Sequence, residues 1–410
     1  MAKTLRRTAI LGWLLVTAHA FSADRALLQG TVTDLAGKPL EGATVMIYSG
    51  SVKQGYSTFC PTCYVDCGKR TSSDLSGRFT ISSLSPDLHF DLLIVREGYH
   101  PMFVKKVDPA KSTPTAAMKE RAAISDSRRV VRGLVVDADG RPIRAALVEP
   151  FGIQDKTGSH YFVVPGLEPM AVSNERGEFE IAYSKPFDAM ALQVAARGMA
   201  PKIFTPLATG DQRHSLTISE GSVIRGRLVR QGKPLPNAEL GLIARDLGWG
   251  PNLATVGYPV PELRIGTNDD GTFAITNVPP GVDWHVYGKM ESLASLGGSP
   301  IVAFTSKGEA EELNLGDIAL VPGFRLRGKV LLSDRKTIPP GMRITISASR
   351  VKDSQTAVLD DTGGFEFSGL AKGDYTVLAS VRGYTLATGP ELALSVERDI
   401  TGFTLMLKPR

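Results

Sequence analysis

The stretch Leu28-Gln29-Gly30-Thr31-Val32 decides the fold, because near copies of it begin three later segments of the chain. Apolar and polar residues alternate in it with a period of two, which predicts a β-strand with one buried face. Gly30 lies on that buried face, where a glycine indicates close approach of another group. The chain is therefore predicted to consist of four repeats. The other copies are Val131-Arg132-Gly133-Leu134-Val135, Ile224-Arg225-Gly226-Arg227-Leu228 and Leu326-Arg327-Gly328-Lys329-Val330.

In the first three repeats a turn with glycine and proline follows the opening strand, as in Gly37-Lys38-Pro39. Glycine supplies a positive φ and proline fixes the exit of the turn. A second alternating strand follows, with Ala43, Val45 and Ile47 on one face in the first repeat. We therefore expect the first two strands of a repeat to form a β-hairpin.

A second signature, an acid or amide followed by glycine and phenylalanine, comes later in every repeat. We expect the acid or amide side chain to cap a turn, the glycine to adopt the left-handed conformation and the phenylalanine to begin a buried strand. The four copies cover residues 74–79, 174–179, 268–273 and 360–365. The opening glycines recur about every 100 residues, which is the size of a β-sandwich of about seven strands.

These motifs are similar to those of the carboxypeptidase regulatory-like domain, a transthyretin-like or prealbumin-like β-sandwich. The first repeat carries the pattern almost throughout, and the second departs from it most. The resemblance implies a fold and a loose link to carbohydrate-binding-like and surface proteins, and it carries no catalytic residue over to this chain. In the first repeat the matching segments are Gly37-Lys38-Pro39-Leu40, Gly42-Ala43-Thr44-Val45, Gly77-Arg78-Phe79 and Gly98-Tyr99.

The predicted fold class is all-β, with four tandem Ig-like or prealbumin-like antiparallel β-sandwich domains after an N-terminal signal peptide. A linker over 109–129, with a short helix around 116–123, is expected between the first two sandwiches, and short connections predict a semi-rigid rod. The predicted segments are the signal peptide 1–23 and the sandwiches 24–108, 130–221, 222–322 and 323–410.

The first 23 residues have the layout of a cleaved signal peptide: a basic start, an apolar run over 8–18 and the small-x-small site Ala18-His19-Ala20. A retained anchor is the alternative, but the run is about half of the roughly 20 residues that a transmembrane helix needs. We therefore expect a secreted, periplasmic or cell-surface protein with no membrane span in the mature chain.

The formal net charge of +5 depends largely on this leader, because Lys3, Arg6 and Arg7 precede the first acid, Asp24. Lysine and arginine are otherwise spread over all four repeats, whereas nucleic-acid binding needs a concentrated basic face. We therefore expect no nucleic-acid partner.

All three cysteines, Cys60, Cys63 and Cys67, lie within eight residues of the first repeat. One local disulfide with one thiol left over is one interpretation for an exported protein. A metal site is another, with His89 or His100 as a fourth ligand if the fold brings either close. An intermolecular disulfide or a thiol-redox role is the third.

Four aromatic residues in the long inserts are candidate ligand-binding residues, because sugar C–H faces stack on exposed rings. Trp249 lies between two glycines in the third repeat, and its alternative role is to cap the edge of the sandwich. The candidates are Trp249, Tyr258, Tyr161 and Phe162.

Nothing in the sequence has the layout of a catalytic site or requires a cofactor. The six histidines are scattered, no Gly-x-Ser-x-Gly or His-x-x-Glu motif occurs, and the paired aspartates fall in turns that capping explains. We expect an exported, non-catalytic binding or scaffold protein whose partner is a polysaccharide or a cell-surface protein. A structural spacer or adhesion-type protein–protein interaction module is the alternative, and a metal or redox role of the cysteines is the outlier.

Overall fold

The computed structural model describes residues 25–57, 60–161, 164–245, 265–334, 336–389 and 391–410. These residues form eight β-sheets, and helix is confined to the α-helix Met290–Leu293 and the 3-10 helix Ser127–Arg129. The all-β prediction is confirmed. We group the sheets in facing pairs into modules 1 to 4, which cover residues 26–118, 130–217, 222–319 and 324–409.

Module 1 has seven strands in two sheets, ordered β4-β1-β7 and β3-β2-β5-β6. The last strand, β7, runs parallel to the first, and the other pairs are antiparallel. The strands are β1 Ala26–Asp34, β2 Thr44–Val52, β3 Arg70–Ser72, β4 Arg78–Leu84, β5 Leu88–Val95, β6 Met102–Val107 and β7 Thr115–Met118.

Module 2 repeats this plan, with sheets ordered β12-β8-β15 and β10-β9-β13-β14, and with β11 also paired to β9. Its last strand again runs parallel to its first. The strands are β8 Val130–Val136, β9 Leu147–Asp155, β10 Gly158–Tyr161, β11 Ala171–Val172, β12 Glu178–Ala182, β13 Ala189–Ala195, β14 Lys202–Ala208 and β15 Arg213–Thr217.

Module 3 has the sheet β17-β16-β20, with β23 parallel to β16, and the sheet β19-β18-β21-β22. Helix α1, Met290–Leu293, follows β21. The strands are β16 Ser222–Arg230, β17 Lys233–Pro234, β18 Glu239–Ala244, β19 Ile265–Gly266, β20 Thr272–Val278, β21 Asp283–Gly288, β22 Val302–Thr305 and β23 Glu312–Ala319.

Module 4 has sheets ordered β27-β24-β31-β29 and β26-β25-β28-β30, with β31 parallel to β24. The strands are β24 Phe324–Leu332, β25 Arg343–Ala348, β26 Ser354–Val358, β27 Gly364–Leu370, β28 Gly373–Ser380, β29 Tyr384–Leu386, β30 Leu392–Val396 and β31 Ile400–Pro409.

A buried apolar core lies between the two sheets of each module. Large side chains fill these cores, for example Phe90 in module 1, Trp284 in module 3 and Phe367 in module 4, all at most 1% exposed. The indole N–H of Trp284 donates to the Ser306 hydroxyl at 3.3 Å, which satisfies its one polar group. No helix in the described residues has the length and apolar composition of a membrane span.

The recurring glycine of each opening strand lies directly opposite the recurring phenylalanine on the neighbouring strand. A Cβ on Gly30 would lie 2.5 Å from the Phe79 ring and 2.5 Å from the Pro114 carbonyl oxygen. The predicted close approach is therefore confirmed, because only a residue without a side chain leaves space for the ring and for the last strand of the module. The four pairs are Gly30 with Phe79, Gly133 with Phe179, Gly226 with Phe273 and Gly328 with Phe365.

The second signature forms the predicted turn. The Asp74 carboxylate accepts hydrogen bonds from the backbone N–H groups of Ser76 and Arg78, both at 2.9 Å, and Gly77 has a φ of 72°. The next residue but one, Phe79, is 4% exposed in the core. The turn therefore fixes where the phenylalanine strand begins, so that the phenylalanine meets the glycine of the opening strand.

The expected hairpin between the first two strands of a repeat is wrong. β1 pairs with β4 and β7, whereas β2 pairs with β3 and β5, so the two strands belong to opposite sheets. Each strand has one buried face, and placing the strands in facing sheets buries both faces in the same core. The glycine–proline turn is thus a corner between the sheets.

The expected linker over 109–129 is also wrong in its first half. Residues 115–118 form β7, which completes a sheet of module 1 and buries Ala116 and Met118 at 1% exposure each. The helix expected around 116–123 is absent from these described residues. Alternating burial along Thr115–Met118 has the two-residue period of a strand, and pairing with β1 satisfies its backbone.

Candidate functional site

The three cysteines lie in the disulfide loop, residues 53–69, which connects β2 to β3; residues 58 and 59 lie outside the described part. Cys60 and Cys63 form a disulfide bond, and Cys67 is a free thiol that is 3% exposed and donates to the Pro61 carbonyl oxygen at 3.5 Å. The interpretation of one local disulfide with one thiol left over is confirmed. Burial raises the pKa of the Cys67 thiol to about 11, which makes it a weak nucleophile at neutral pH.

The disulfide loop contacts the two following modules. The backbone N–H of Gly266 in module 3 donates to the Ser57 carbonyl oxygen at 2.9 Å, and Arg197 of module 2 donates from Nε to the Thr62 carbonyl oxygen at 3.1 Å. The Asn277 amide of module 3 lies 3.8 Å from the Cys60 sulfur. The loop is therefore a junction between three modules.

An ion pair holds the base of the disulfide loop. Asp66 is fully buried, pairs with Arg25 and with Lys69 (2.7 Å), and accepts a hydrogen bond from the Ser85 backbone N–H at 2.9 Å. Burial opposes the charge of Asp66, but these hydrogen bonds and cations keep its pKa below the usual value. The carboxylate thus fixes where the loop leaves the sandwich.

The metal alternative stays a prediction that the geometry does not support. Within the described ranges, no three His, Cys, Asp or Glu side chains form a group that could hold a metal ion. His89 lies on β5 opposite Ser51, and His100 Nδ1 lies 3.6 Å from Glu168 Oε1. Two of the three cysteine sulfurs are bonded to each other.

We expect Cys67 to resist a thiol reagent in the folded protein, because its thiol is buried and its pKa is raised. Titration with a chromogenic disulfide reagent should find less than about a tenth of one thiol per chain within minutes in native buffer, and one thiol in denaturant without reductant. Cys67→Ser is the control and should give no thiol in either buffer. Rapid native labelling, or three thiols in denaturant, would show that the disulfide loop is wrongly described.

Of the four candidate aromatic residues, three lie outside the described residues: Trp249, Tyr258 and Phe162. Tyr161 ends β10 and packs with Phe151 against Ala189 and Ala191, on the face of the module 2 sheet that points away from the core. Tyr161 is half-buried in this small cluster. A ligand-binding role of these four aromatics stays a prediction.

A charged anchor joins modules 1 and 2. Arg121, whose backbone N–H donates to the Gly98 carbonyl of module 1, binds both carboxylate oxygens of Glu168 in module 2, at 2.6 and 3.0 Å. Glu168 is 9% exposed and also accepts from the Ala182 backbone N–H at 2.8 Å. The pair is bidentate and largely removed from water, the geometry in which an arginine–carboxylate pair is strongest.

A cleft of about 600 Å³ opens beside this anchor, between the turn after β5 in module 1 and the sheet β12-β8-β15 in module 2. We call it the arginine cleft. Its charged lining residues are five arginines and three glutamates: Arg96, Arg121, Arg132, Arg176, Arg213, Glu97, Glu178 and Glu180. Tyr99, which is half-buried, and Phe179, which is 5% exposed, also line the cleft, so it offers donors and acceptors beside two largely covered rings.

Modules 3 and 4 meet around a half-buried carboxyl group, that of Asp353. Asp353 accepts a hydrogen bond from the Met290 backbone N–H at 2.8 Å, and the Tyr287 hydroxyl donates to the Lys352 carbonyl oxygen at 2.9 Å. Both residues line a largely apolar cavity of about 480 Å³ between the modules. Burial raises the pKa of Asp353 to about 6, although the Met290 hydrogen bond and Lys289 favour its charged form.

The raised pKa of Asp353 makes the junction of modules 3 and 4 pH-dependent. The folded protein holds the proton more tightly than the unfolded chain, so this group's contribution to stability is fully present below about pH 4 and is lost as the pH rises through about 6. The difference between the pKa of Asp353 in the folded protein and in the unfolded chain corresponds to up to about 3 kcal/mol of folding free energy. We expect Asp353→Asn to gain stability relative to the wild type between pH 4 and 7, measured by calorimetry as the difference between the two proteins.

Asp361→Asn, a change in an exposed turn of the same module, is the control and should follow the wild-type pH profile. If the difference between Asp353→Asn and the wild type is the same at every pH, Asp353 does not titrate as described.

The comparison with known protein families gives a match for the fourth module. Residues 325–408 match the family model of the carboxypeptidase regulatory-like domain. The fourth module is a carboxypeptidase regulatory-like domain. The resemblance inferred from the opening strand, the turns and the late Gly-Tyr is confirmed there, and modules 1 to 3 repeat the same opening glycine–phenylalanine pair.

Three solved structures show similarity to all or part of the chain. The Bacillus anthracis TIE protein is 12% identical, with 94% of this chain and 74% of that chain covered and a TM-score of 0.20. A streptococcal ancillary pilin is 10% identical, with 68% and 99% covered and a TM-score of 0.22. GBS52, the minor pilin of Streptococcus agalactiae, is 13% identical, with 46% and 96% covered and a TM-score of 0.24. Likenesses this distant support no conclusion about function, and no curated protein matches the chain.

Sequence reasoning missed the residues that join the modules. Arg121 lay in the supposed linker, and Glu168 and Asp353 lay in inserts without a periodic pattern. It also missed a buried hydroxyl in front of the second signature: the Ser73 hydroxyl accepts from the Ala43 N–H at 2.9 Å and donates to the Leu40 carbonyl at 2.6 Å. Its equivalents are Ser173 and Thr267. The repeat of a hydroxyl before Asp or Asn was the signal that could have found this group.

Proposed function

We propose that the chain is an exported, non-catalytic binding and scaffold protein whose β-sandwich modules are held in a fixed arrangement. The observation that carries the proposal is the disulfide loop, because one segment of module 1 bonds to module 2 through Thr62 and to module 3 through Ser57. Freely moving domains do not keep one segment bonded to two other modules, whereas a scaffold that presents surfaces in fixed positions requires such contacts.

The other junctions support the same function. The Arg121–Glu168 pair joins modules 1 and 2, and the Asp353–Met290 hydrogen bond joins modules 3 and 4. Buried polar contacts of this kind fix orientation, because each loses its partner when the modules rotate. Export, which the first 23 residues predict, places the Cys60–Cys63 bond where disulfides persist.

A protein–protein adhesion or spacer role is the second candidate, and one observation favours it. Leu35 and Leu75 lie at the tips of two neighbouring turns of module 1 and are 69% and 81% exposed. The turns are adjacent because the Val32 N–H donates to the Gly77 carbonyl at 2.7 Å. Exposed apolar side chains at the end of a module suit contact with another protein.

Small-angle scattering of the mature chain tests the scaffold proposal. A fixed arrangement predicts one compact profile that matches the structure, while Cys60→Ser combined with Cys63→Ser should increase the radius of gyration if the disulfide loop holds modules 1 and 3 together. Cys67→Ser, which leaves the disulfide in place, is the matched control. A wild-type profile that only an ensemble of module orientations can fit would overturn the proposal.

The mass of the natively exported protein tests the compartment. Loss of about 23 residues and retention of one disulfide are expected. A chain that keeps its N-terminus in the cytoplasm would contradict export, whatever the scattering shows.

A further inference from the structure

The charged groups of the arginine cleft are arranged in shared pairs. Glu180 binds Arg132 at 2.7 Å and Arg121 at 3.2 Å. Glu178 binds Arg176 at 2.7 Å and Arg213 at 2.6 Å. Each of these two carboxylates thus contacts two guanidinium groups. The lining holds five arginines against three glutamates, while Arg121 also pairs with Glu168 and Arg132 lies 3.9 Å from Asp211.

Several guanidinium N–H groups of the cleft have no partner among the described residues. Arg213 makes one hydrogen bond, from Nη1 to Glu178, which leaves Nε and Nη2 available. Arg96 donates from Nε to the Glu41 carbonyl oxygen at 2.8 Å, and both of its terminal nitrogens remain available. Arg96 belongs to module 1 and Arg213 to module 2, so the available donors lie on both walls of the cleft.

Tyr99 adds a ring to the module 1 wall. The Arg96 guanidinium carbon lies 5.0 Å from the ring centroid, a cation–π distance, and the Tyr99 hydroxyl contacts Glu120 at 3.5 Å. The cation–π contact fixes Arg96 and Tyr99 relative to each other. The Arg96 guanidinium therefore lies over the Tyr99 ring, and Tyr99 itself packs against the core of module 1, so Arg96 is held in place before any ligand arrives.

The glutamates distinguish between anionic ligands. Hydrogen bonds from Asn174, Arg176 and Arg213 lower the pKa of Glu178 to about 2, so its carboxylate stays charged and accepting. Fixed acceptors in the cleft repel a ligand that offers only anionic oxygens, such as a polyphosphate or an acidic peptide side chain. They favour a ligand that also carries hydroxyl donors.

We propose that the arginine cleft binds an acidic saccharide, with a sugar carboxylate on the unpartnered donors of Arg96 and Arg213 and with hydroxyl groups on Glu178 and Glu180. This inference rests on the proposed binding function and names its ligand class. Guanidinium–carboxylate contacts and fixed acceptors for hydroxyl groups are the two features that such a ligand uses. The open shape of the cleft, between two modules, suits a segment of a chain.

Calorimetric titration of the full mature chain with oligogalacturonate tests the proposal. Wild type should bind, and added salt should weaken the binding. Arg96→Gln combined with Arg213→Gln should weaken it at least tenfold. Tyr99→Leu, which keeps the charge but removes the ring beneath Arg96, should also weaken it. Arg327→Gln is the matched control, because Arg327 occupies the repeat position of Arg132 but pairs with Glu366 in module 4, away from the cleft. It should bind as wild type does.

Four results would overturn the inference: no binding of oligogalacturonate by the folded wild type, equal binding by the wild type and the double variant, equally tight binding of poly-glutamate, or equal binding of a neutral glucan. A melting curve for each variant separates lost binding from lost folding, and Tyr99→Leu tests the site again if the double variant unfolds. Small-angle scattering tests the scaffold proposal separately, because a rigid chain that does not bind oligogalacturonate would contradict only this inference.

Discussion

Gly328→Ala should prevent module 4 from folding stably. A Cβ at this position would lie 2.3 Å from the Phe403 carbonyl oxygen and 3.0 Å from the Phe365 ring. The oxygen belongs to β31, which pairs with β24 on both sides of Gly328 and cannot move without loss of the sheet. Overpacking usually costs about 1–3 kcal/mol, and a clash with paired backbone should exceed about 3 kcal/mol. Calorimetry should show the loss of one unfolding transition.

Gly373→Ala is the matched control in the same module. Nothing lies within 4 Å of a Cβ at Gly373, so this variant should melt within about 0.5 kcal/mol of wild type. Gly226→Ala should be intermediate, because its nearest contact is the Phe273 ring at 2.6 Å and the nearest backbone atom is 3.3 Å away. If Gly328→Ala and Gly373→Ala melt alike, the glycine–phenylalanine pair does not explain the recurring motif.

Arg121→Met should separate modules 1 and 2. The change leaves the Glu168 carboxylate buried with only the Ala182 N–H and the nearby His100, and breaking a buried ion pair costs about 3–5 kcal/mol. The expected result is a lower melting temperature and faster proteolysis between residues 119 and 129. Limited proteolysis followed by mass spectrometry measures both the rate and the cleavage site.

Two further variants sharpen this test. Arg128→Met removes an exposed pair with Asp126 and should change stability by less than about 1 kcal/mol, because Arg128 is 74% exposed. Arg121→Met combined with Glu168→Leu should recover part of the loss, because an apolar pair replaces the stranded charge. A double variant that is no better than Arg121→Met would mean that the loss does not come from the buried carboxylate.

The fold could be predicted from the sequence as far as its local motifs extend. The glycine of the opening strand, the Asp74 turn and the buried position of Phe79 all follow from periodicity and turn chemistry. Pairing partners did not follow, because a strand with one apolar face fits equally well beside its neighbour or across the core from it. The β1–β2 hairpin failed for this reason, and β7 was too short to stand out in a polar segment.

The candidate site was less accessible from the sequence. The pairing of Cys60 with Cys63 was one of the interpretations left open, but the contacts of the disulfide loop with Gly266 and Arg197 join residues that are far apart in the chain. The arginine cleft is assembled from both sides of a module junction, so no single segment shows its composition. Its arginines are distributed between residues 96 and 213 of the sequence, so they formed no concentrated basic segment that the sequence analysis could detect.

The parallel pairing of each module's last strand with its opening strand determines the order in which the parts of the module can fold. A module that emerges N-terminus first cannot complete the sheet around its opening strand until its final residues are available, so closure is a long-range event within each module. The contact of the disulfide loop with module 3 forms later still, since Cys60 and Asn277 are 217 residues apart in the chain. Early oxidation of Cys60 and Cys63 would hold the loop in a compact form during this delay. The junction of modules 1, 2 and 3 at the disulfide loop therefore forms only after module 3 is available.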